Sequence, residues 1–419
     1  MRTLAIAVAW FLPVLAGACQ SPSTAAPRGP LDGWERFTAY KGGACALYVP
    51  RSRAELPAPI AWQPCPEAAG AAGCRRIALD WAPNPKLPEW ITPATFASRD
   101  RSGALLLHTA RFQADGTVRM IAEVDGPVRI ALREQDQRCA LGAAPSDGDH
   151  YAFRVYDSDA TGELDSYGGG GIGGALDELT PRVFVAARDR VARSVFAGAP
   201  GLLELAAGGA MTLHPWGPGA PVALWSAAEG GGLAHSFQSF RGDALLWSAS
   251  DDATRKAMVW TANGGVRELL PVAADLGSDG KDLVWLDGTR EPGGFGNIRV
   301  VAAPFTTDPA KLQPRVVRAS GSPHPFGTSP FVVGCGRAAR ATFVEDGGAR
   351  HNAIEVIRLV DGATWHLPDA PGSAWGYRAP LALTCDELFA RVYERAAPGQ
   401  PGHFNVARVR LDGLGAPVQ

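Results

Sequence analysis

Several signatures of enzyme and metal chemistry are missing from this chain of 419 residues. It contains no Gly-x-Ser-x-Gly, no His-Glu-x-x-His and no phosphate-binding P-loop, since Gly280-Lys281 is followed by Asp282. Acyl transfer, zinc hydrolysis and nucleotide hydrolysis therefore lose their local sequence markers, although distant residues can still be assembled by a fold. Cysteine is scarce: seven in all, none in a Cys-x-x-Cys pair, with spacings unlike those of a zinc site. Charge of one sign is lacking too. The 40 Lys and Arg balance 42 Asp and Glu without a basic cluster, which argues against a nucleic-acid partner. There is only one long apolar run, from Leu4 to Ala18. As a helix it reaches about 22 Å at 1.5 Å per residue, short of the roughly 30 Å of a hydrocarbon core.

That run follows Arg2 and ends in small residues, which is the pattern of a signal peptide over 1–18. Ala16-x-Ala18 suits ordinary secretion, whereas small residues ending at Cys19 resemble the bacterial lipobox, with Ala16 in place of its preferred leucine. The lipoprotein reading is favoured. Cys19 is then the lipid attachment site, 19–33 (CQSPSTAAPRGP…) a flexible tether, and the body a soluble domain held to a membrane by its acyl chains. Gln20 after the cysteine resembles sorting to a Gram-negative outer membrane, so the expected location is the cell envelope, facing periplasm or surface.

Removing 1–18 takes away Arg2 alone and leaves 39 basic residues against 42 acidic ones. Six cysteines remain besides Cys19, an even number that fits disulfides in an exported chain. Cys65 and Cys74 form the conventional local pair, and Cys335 and Cys385 a pair between repeats. Glycine (50) and proline (34) are abundant, yet hydrophobic residues still supply 46%. Many turns with ample core material suit an all-β protein of short strands.

Internal repetition sharpens this. PFVVGC (330–335) recurs as PLALTC (380–385), and NAIEVIRLVDG, ending at Gly362, aligns with HFNVARVRLDG, ending at Gly413. SDGDHYAF (146–153) and SDGKDLVW (278–285) lie 132 residues apart, three units of 44. A unit of that size is propeller-like. Turns of one kind, before an apolar strand, fall near Gly103, Gly148, Asp189, Gly242, Gly280, Gly336 and Asp386. Turns of a second kind fall near Gly126, Gly208, Gly264, Gly362 and Gly413. The expectation is an all-β β-propeller over 96–419, seven blades favoured, with six or eight as alternatives. Asp189 lies in a stretch that also reads as a helix, which would leave six. The Cys- and Pro-rich segment 34–95 is a cap or an extra blade. Trp247, Trp260 and Trp285 are assigned to the core.

SDGKDLVW is similar to the Ser-(Pro)-Asp-Gly-Lys-x-apolar-apolar-aromatic signature of TolB-type propeller repeats, and SDGDHYAF is a weaker copy; both lack the proline. The resemblance implies the propeller fold for roughly 95–419. It does not carry over the partner or role of TolB, because 20–95 does not look like the α/β domain that precedes the TolB propeller.

Two site candidates follow. DSDATGELD (157–165) resembles the oxygen-rich calcium loops of EF-hand-like and propeller proteins, with Asp157, Asp159, Thr161 and Asp165 as side-chain ligands and Glu163 offering its carbonyl. Its competing reading is an acidic surface turn. No cofactor is required, and calcium would be a structural ion. The adjacent GGGGIGG (168–174) matches a dinucleotide fingerprint only in its glycines and reads as a flexible insertion. His324, Trp375, Tyr377 and Arg378 are placed in connections before inner strands, where they would form a sugar or peptide site at the axial mouth. The favoured function is a non-enzymatic envelope lipoprotein whose propeller binds or scaffolds a protein or glycan. The alternative is a hydrolase or lyase acting on glycans or peptides at the axial channel. An enzyme should gather carboxylates, His or Arg with displaced pKa values at one end of the axis.

Overall fold

The computed structural model describes residues 32–37, 47–77, 96–99, 102–113, 116–134, 139–144, 146, 149–157, 169–185, 194–206, 209–226, 234–241, 244–250, 255–272, 274–291, 294–319, 330–346, 348–369, 373–395 and 402–418. Apart from short 3-10 turns, their regular elements are strands. These form seven antiparallel sheets, numbered I to VII in the order in which the chain enters their first strands.

Sheets II to VI are simple four-stranded meanders. Their first strands are Cys139–Ala143, Ser194–Gly198, Ala234–Arg241, Ala274–Ser278 and Val332–Gly334. Sheet I runs Phe96–Arg99, Leu105–Gln113, Gly116–Glu123 and Val128–Glu134. Sheet VII runs Trp375–Leu383, Glu387–Arg395 and Gly402–Arg410.

Alternation along the strands explains how the sheets stack. Successive side chains point to opposite faces, so each sheet feeds two apolar layers. Leu106, Ile121 and Ile130 of sheet I meet Tyr151, Phe153 and Ile172 of sheet II. Leu105, Leu107 and Met120, on the opposite face of sheet I, meet Phe389 and Val406 of sheet VII. Equivalent layers join II to III, III to IV, IV to V, V to VI and VI to VII. The layers therefore run round from sheet I back to sheet I, and the expectation of an all-β β-propeller holds. Trp247, Trp260 and Trp285 are buried in them, as assigned. A parallel bridge between Ser146 and Ala197 shows that the chain leaves sheet II's first strand in the direction taken by sheet III's. First turns of neighbouring sheets thus lie at one end of the ring.

Polar struts cross between sheets at that end. His108 of sheet I shares a 3.0 Å hydrogen bond with Ser146 at the first turn of sheet II. Arg241 of sheet IV donates to the Ser278 carbonyl of sheet V, and Arg337 of sheet VI donates to Cys385 of sheet VII at 3.0 Å. These contacts give the repeated turn positions carbonyl and hydroxyl partners that the strand ladders leave unmade.

In its described part the segment 34–95 adds strands to two of the sheets. Trp34–Phe37 and Leu47–Pro50 extend the outer edge of sheet I. Trp62–Pro64 and Arg75–Ile77 complete sheet VII, pairing Arg76 with Ala407 and Arg75 with Arg408. The N-terminal part of the chain thus supplies the strands that the last sheet needs, which caps an otherwise open edge. The Cys65–Cys74 disulfide pins this hairpin, with Cα atoms 5.4 Å apart. Cys335–Cys385 joins the first turns of sheets VI and VII, with Cα atoms 5.2 Å apart. Both expected pairs are present.

Two local expectations need correction. Asp189 lies outside the described residues, and the first turn of its unit is at 199–200, between Ser194–Gly198 and Gly201–Leu205. SVFAG is therefore a first strand, not a second, and the turn near Gly208 joins strands two and three. A Cβ at Gly201 would collide with the His214 carbonyl, so the position demands glycine. GGGGIGG is not a flexible insertion either. Gly169–Ala175 is the third strand of sheet II, and sheet III packs close against it: a Cβ on Gly171 would collide with Val195, and one on Gly173 would lie 3.2 Å from the Trp216 ring.

Candidate functional site

The first-turn end of the ring carries a groove of about 920 Å³ between sheets I and II. Three stretches of chain build it. One is the N-terminal loop, in which Arg53–Glu55 forms a 3-10 turn and Leu56, Pro57 and Pro59 follow it as an apolar wall. Proline suits this stretch because an extended wall has no ladder for its missing N–H to serve. The second is the third turn of sheet I, bringing Pro127, Val128 and Arg129; Asp125 takes a positive φ of 63° to make it. The third is sheet II, through Asp149 and His150 at the start of its second strand and Ala175, Leu176 and Asp177 at the end of its third.

Hydrogen bonds fix these walls. The Arg53 guanidinium donates to the Asp177 carbonyl at 2.7 Å and to Leu176 at 3.4 Å, so the loop is strapped onto sheet II. The Leu176 amide donates to the Asp149 carbonyl at 2.8 Å. Arg129 pairs with Glu123 on its own sheet. The His150 ring lies flat against Trp216 of sheet III, with centroids 4.5 Å apart and planes within 5°, and the Trp216 indole donates to the Gly198 carbonyl at 2.6 Å. The result is a cleft with Leu and Pro on its apolar walls and guanidinium, carboxylate and imidazole groups among its polar lining. Concave sites that combine apolar walls with a few fixed polar groups are suited to ligand binding.

The strongly displaced pKa values occur elsewhere, in layers between sheets. Burial pushes the His108 imidazole down to about 3. Burial would raise the Glu355 carboxyl, but hydrogen bonding to His366 and the guanidiniums of Arg340 and Arg318 outweigh it and bring it down to about 2. Arg340 donates to Glu355 at 2.7 Å and Arg318 at 2.5 Å, tying sheet V to sheet VI. Glu394 is lowered despite burial by His403, Asn405 and Arg76, which places a charged clasp where the N-terminal strand joins sheet VII. None of these groups lines the groove. Among the described residues no three of His, Cys, Asp and Glu are gathered so as to hold a metal ion.

The residues singled out from sequence do not converge on the groove. Cys19, Asp159, Thr161, Glu163, Asp165 and His324 lie outside the described residues. Asp157 ends the second strand of sheet II. Trp375 and Tyr377 are not in a connection: they open the first strand of sheet VII and are buried against sheet VI. The Tyr377 hydroxyl donates to the Ala69 carbonyl at 3.0 Å. Arg378 remains partly exposed, pairs with Asp369 at 2.6 Å and stands 5.5 Å from the Tyr393 ring centre. Of the groove residues only the Asp149-His150 dipeptide had a sequence signal, its place just after the repeated Ser-Asp-Gly. Arg53 and Arg129 had none.

No family model and no curated protein sequence matches the chain. Solved structures similar to it are propellers at low identity. An oligogalacturonate lyase from Vibrio parahaemolyticus is 9% identical with a TM-score of 0.49, over 85% of this chain and 98% of that one. A prolyl endopeptidase is 14% identical with a TM-score of 0.48; this chain spans 46% of its length, with 74% of this chain covered. The β-propeller domain of a trilobed protease from Pyrococcus furiosus is 11% identical with a TM-score of 0.43, over 78% of this chain and 99% of that one.

Proposed function

We propose that this chain is a non-catalytic lipoprotein of the cell envelope, anchored through Cys19, whose propeller holds a protein or glycan partner in the groove between sheets I and II. The observation that carries the reading is the groove itself: about 920 Å³, strapped by Arg53 and flanked by Arg129, Asp149 and His150. In this reading each of the seven sheets is a blade, the repeats are of the TolB type, and the acidic loop that starts at Asp157 takes calcium as a structural ion. The tether at 19–33 gives the body reach from an outer-membrane surface.

The test is capture of a partner from envelope extract by the full chain, repeated with Arg53→Ala and His150→Ala. A partner retained by the native chain and lost by both variants supports the reading. Retention by both, or turnover of a peptide or glycan by the native chain, contradicts it. Mass spectrometry of the mature N-terminus tests the anchor, and an unmodified Cys19 would overturn it.

A further inference from the structure

We propose that the Cys335–Cys385 bridge is a site of thiol–disulfide exchange, opened in the folded chain by a dithiol. The site lies at the first-turn end of the seam between sheets VI and VII and does not depend on the groove.

The two described disulfides stand in opposite surroundings. Cys74 is buried and Cys65 half-buried, both against the apolar layer between sheets VI and VII. Cys335 and Cys385 are exposed, each in the first turn of its sheet. Cys335 also takes a φ of 53°, in the left-handed region that favours glycine or asparagine. A cysteine suits that backbone poorly, so what it contributes there is its sulfur.

Neither turn needs the bridge to stay closed. Gly334 pairs with Arg337 across the first turn of sheet VI. In sheet VII the Thr384 amide donates to the Glu387 carbonyl at 2.9 Å, and the Thr384 hydroxyl accepts from the Glu387 amide at 2.8 Å. Behind the turns Ala339, Ile354 and Val356 of sheet VI pack with Leu383, Leu388 and Ala390 of sheet VII. Arg337 adds its 3.0 Å strut to the Cys385 carbonyl. Opening the bridge therefore leaves the seam joined by its apolar layer and by this hydrogen bond.

Charge decides which sulfur leaves. A thiolate attacks one sulfur of a disulfide and expels the other, and the sulfur with the lower thiol pKa leaves faster. A neighbouring guanidinium lowers that pKa. The turn of Cys335 contains only Gly336 besides and is followed by Arg337, whereas Cys385 is followed by Asp386 and Glu387, whose carboxylates oppose a further anion. The incoming thiolate thus bonds to the Cys385 sulfur, and the electron pair of the broken S–S bond goes to the Cys335 sulfur. The second thiolate of the dithiol then attacks its partner sulfur in the mixed disulfide, closes a disulfide within the dithiol and releases Cys385. Two electrons pass from the dithiol to the bridge, and the two freed sulfurs take up the protons that the dithiol gave up.

The experiment exposes the folded full chain to dithiothreitol or to reduced glutathione, quenches with an alkylating agent at intervals and maps the cysteines by peptide mass spectrometry, with circular dichroism followed in parallel. Cys335 and Cys385 should be alkylated about tenfold faster than Cys65 and Cys74, with the strand signal unchanged. Glutathione, a monothiol, should be trapped on Cys385 with Cys335 alkylated. Arg337→Gln should slow opening about threefold, and Arg337→Lys, which keeps the charge, should restore it. Equal rates at the two bridges, opening only together with loss of the strand signal, glutathione on Cys335, or an unslowed Arg337→Gln variant would overturn the proposal.

Discussion

The hydroxyl of Tyr377 donates to the carbonyl of Ala69 at 3.0 Å, across 308 positions of sequence. This bond joins the first strand of the last sheet to the turn between the two N-terminal strands that complete that sheet. Asn405 repeats the theme, donating to the Ile77 carbonyl at 3.1 Å and to Glu394 at 2.7 Å. Ring closure is therefore made by residues from both ends of the chain, and it depends on short strands of three residues each.

The two disulfides should differ in what they contribute. Cys65–Cys74 closes a loop with a sequence separation of 9, and Cys335–Cys385 one of 50. Chain-entropy arguments give about 2.7 kcal/mol for the first and about 4 kcal/mol for the second. In urea unfolding the Cys335→Ser/Cys385→Ser variant should lose more stability than Cys65→Ser/Cys74→Ser. The reverse order would show that the short bridge acts mainly by holding the closing hairpin in place.

Acid should weaken the fold through two buried groups in different windows. His108 has a folded pKa lowered to about 3 from 6.5. The unfolded chain then holds a proton that the folded chain refuses, so stability falls by about 1.4 kcal/mol per pH unit as the pH drops from 6.5 toward 3. Glu355, lowered from 4.5 to about 2, contributes stability that is complete above 4.5 and is lost as the pH falls through 2. His108→Gln should flatten the dependence of unfolding free energy on pH between 6 and 4; an unchanged slope would contradict the assignment.

Tyr151 is fully buried between sheets I and II, and its hydroxyl finds no hydrogen-bond partner among the described residues. Burial and the charge of Glu178 push its pKa up. An unmet hydroxyl costs about 1–3 kcal/mol, so Tyr151→Phe should raise the urea midpoint. A loss of stability would mean that the hydroxyl is satisfied.

Gly277 and Gly334 occupy equivalent places near the ends of first strands, where neighbouring sheets crowd toward the axis. A Cβ on Gly277 would collide with the Phe331 carbonyl of the next sheet, and one on Gly334 with that of Leu383. Gly277→Ala should therefore cost about 1–3 kcal/mol through overpacking. A neutral result would show that the sheets can move apart there.

Much of this architecture was legible in sequence because hairpin turns are local. The turns at Gly103, Gly280, Gly336 and Asp386 do separate the first and second strands of their sheets. Asp189 misled because Ala199-Pro200, ten and eleven residues on, makes the real turn and shifts the unit by one strand. The role of residues 34–77 was illegible for a different reason. Strands of three or four residues paired to partners far away in sequence, Leu47 with Glu134 and Arg76 with Ala407, leave no periodic signal. Trp375 and Tyr377 looked like loop aromatics because they follow Gly372-Ser373, yet they begin a strand and fill the layer against sheet VI.

Amide hydrogen exchange at Arg75–Ile77 in the intact chain tests the closed ring most directly. Pairing with Gly402–Arg410 on one side and Trp62–Pro64 on the other should slow these amides to the rates of Glu387–Arg395 in the same sheet. Exchange at the rate of an unstructured segment, with the rest of sheet VII protected, would show that the N-terminal strands do not close the ring.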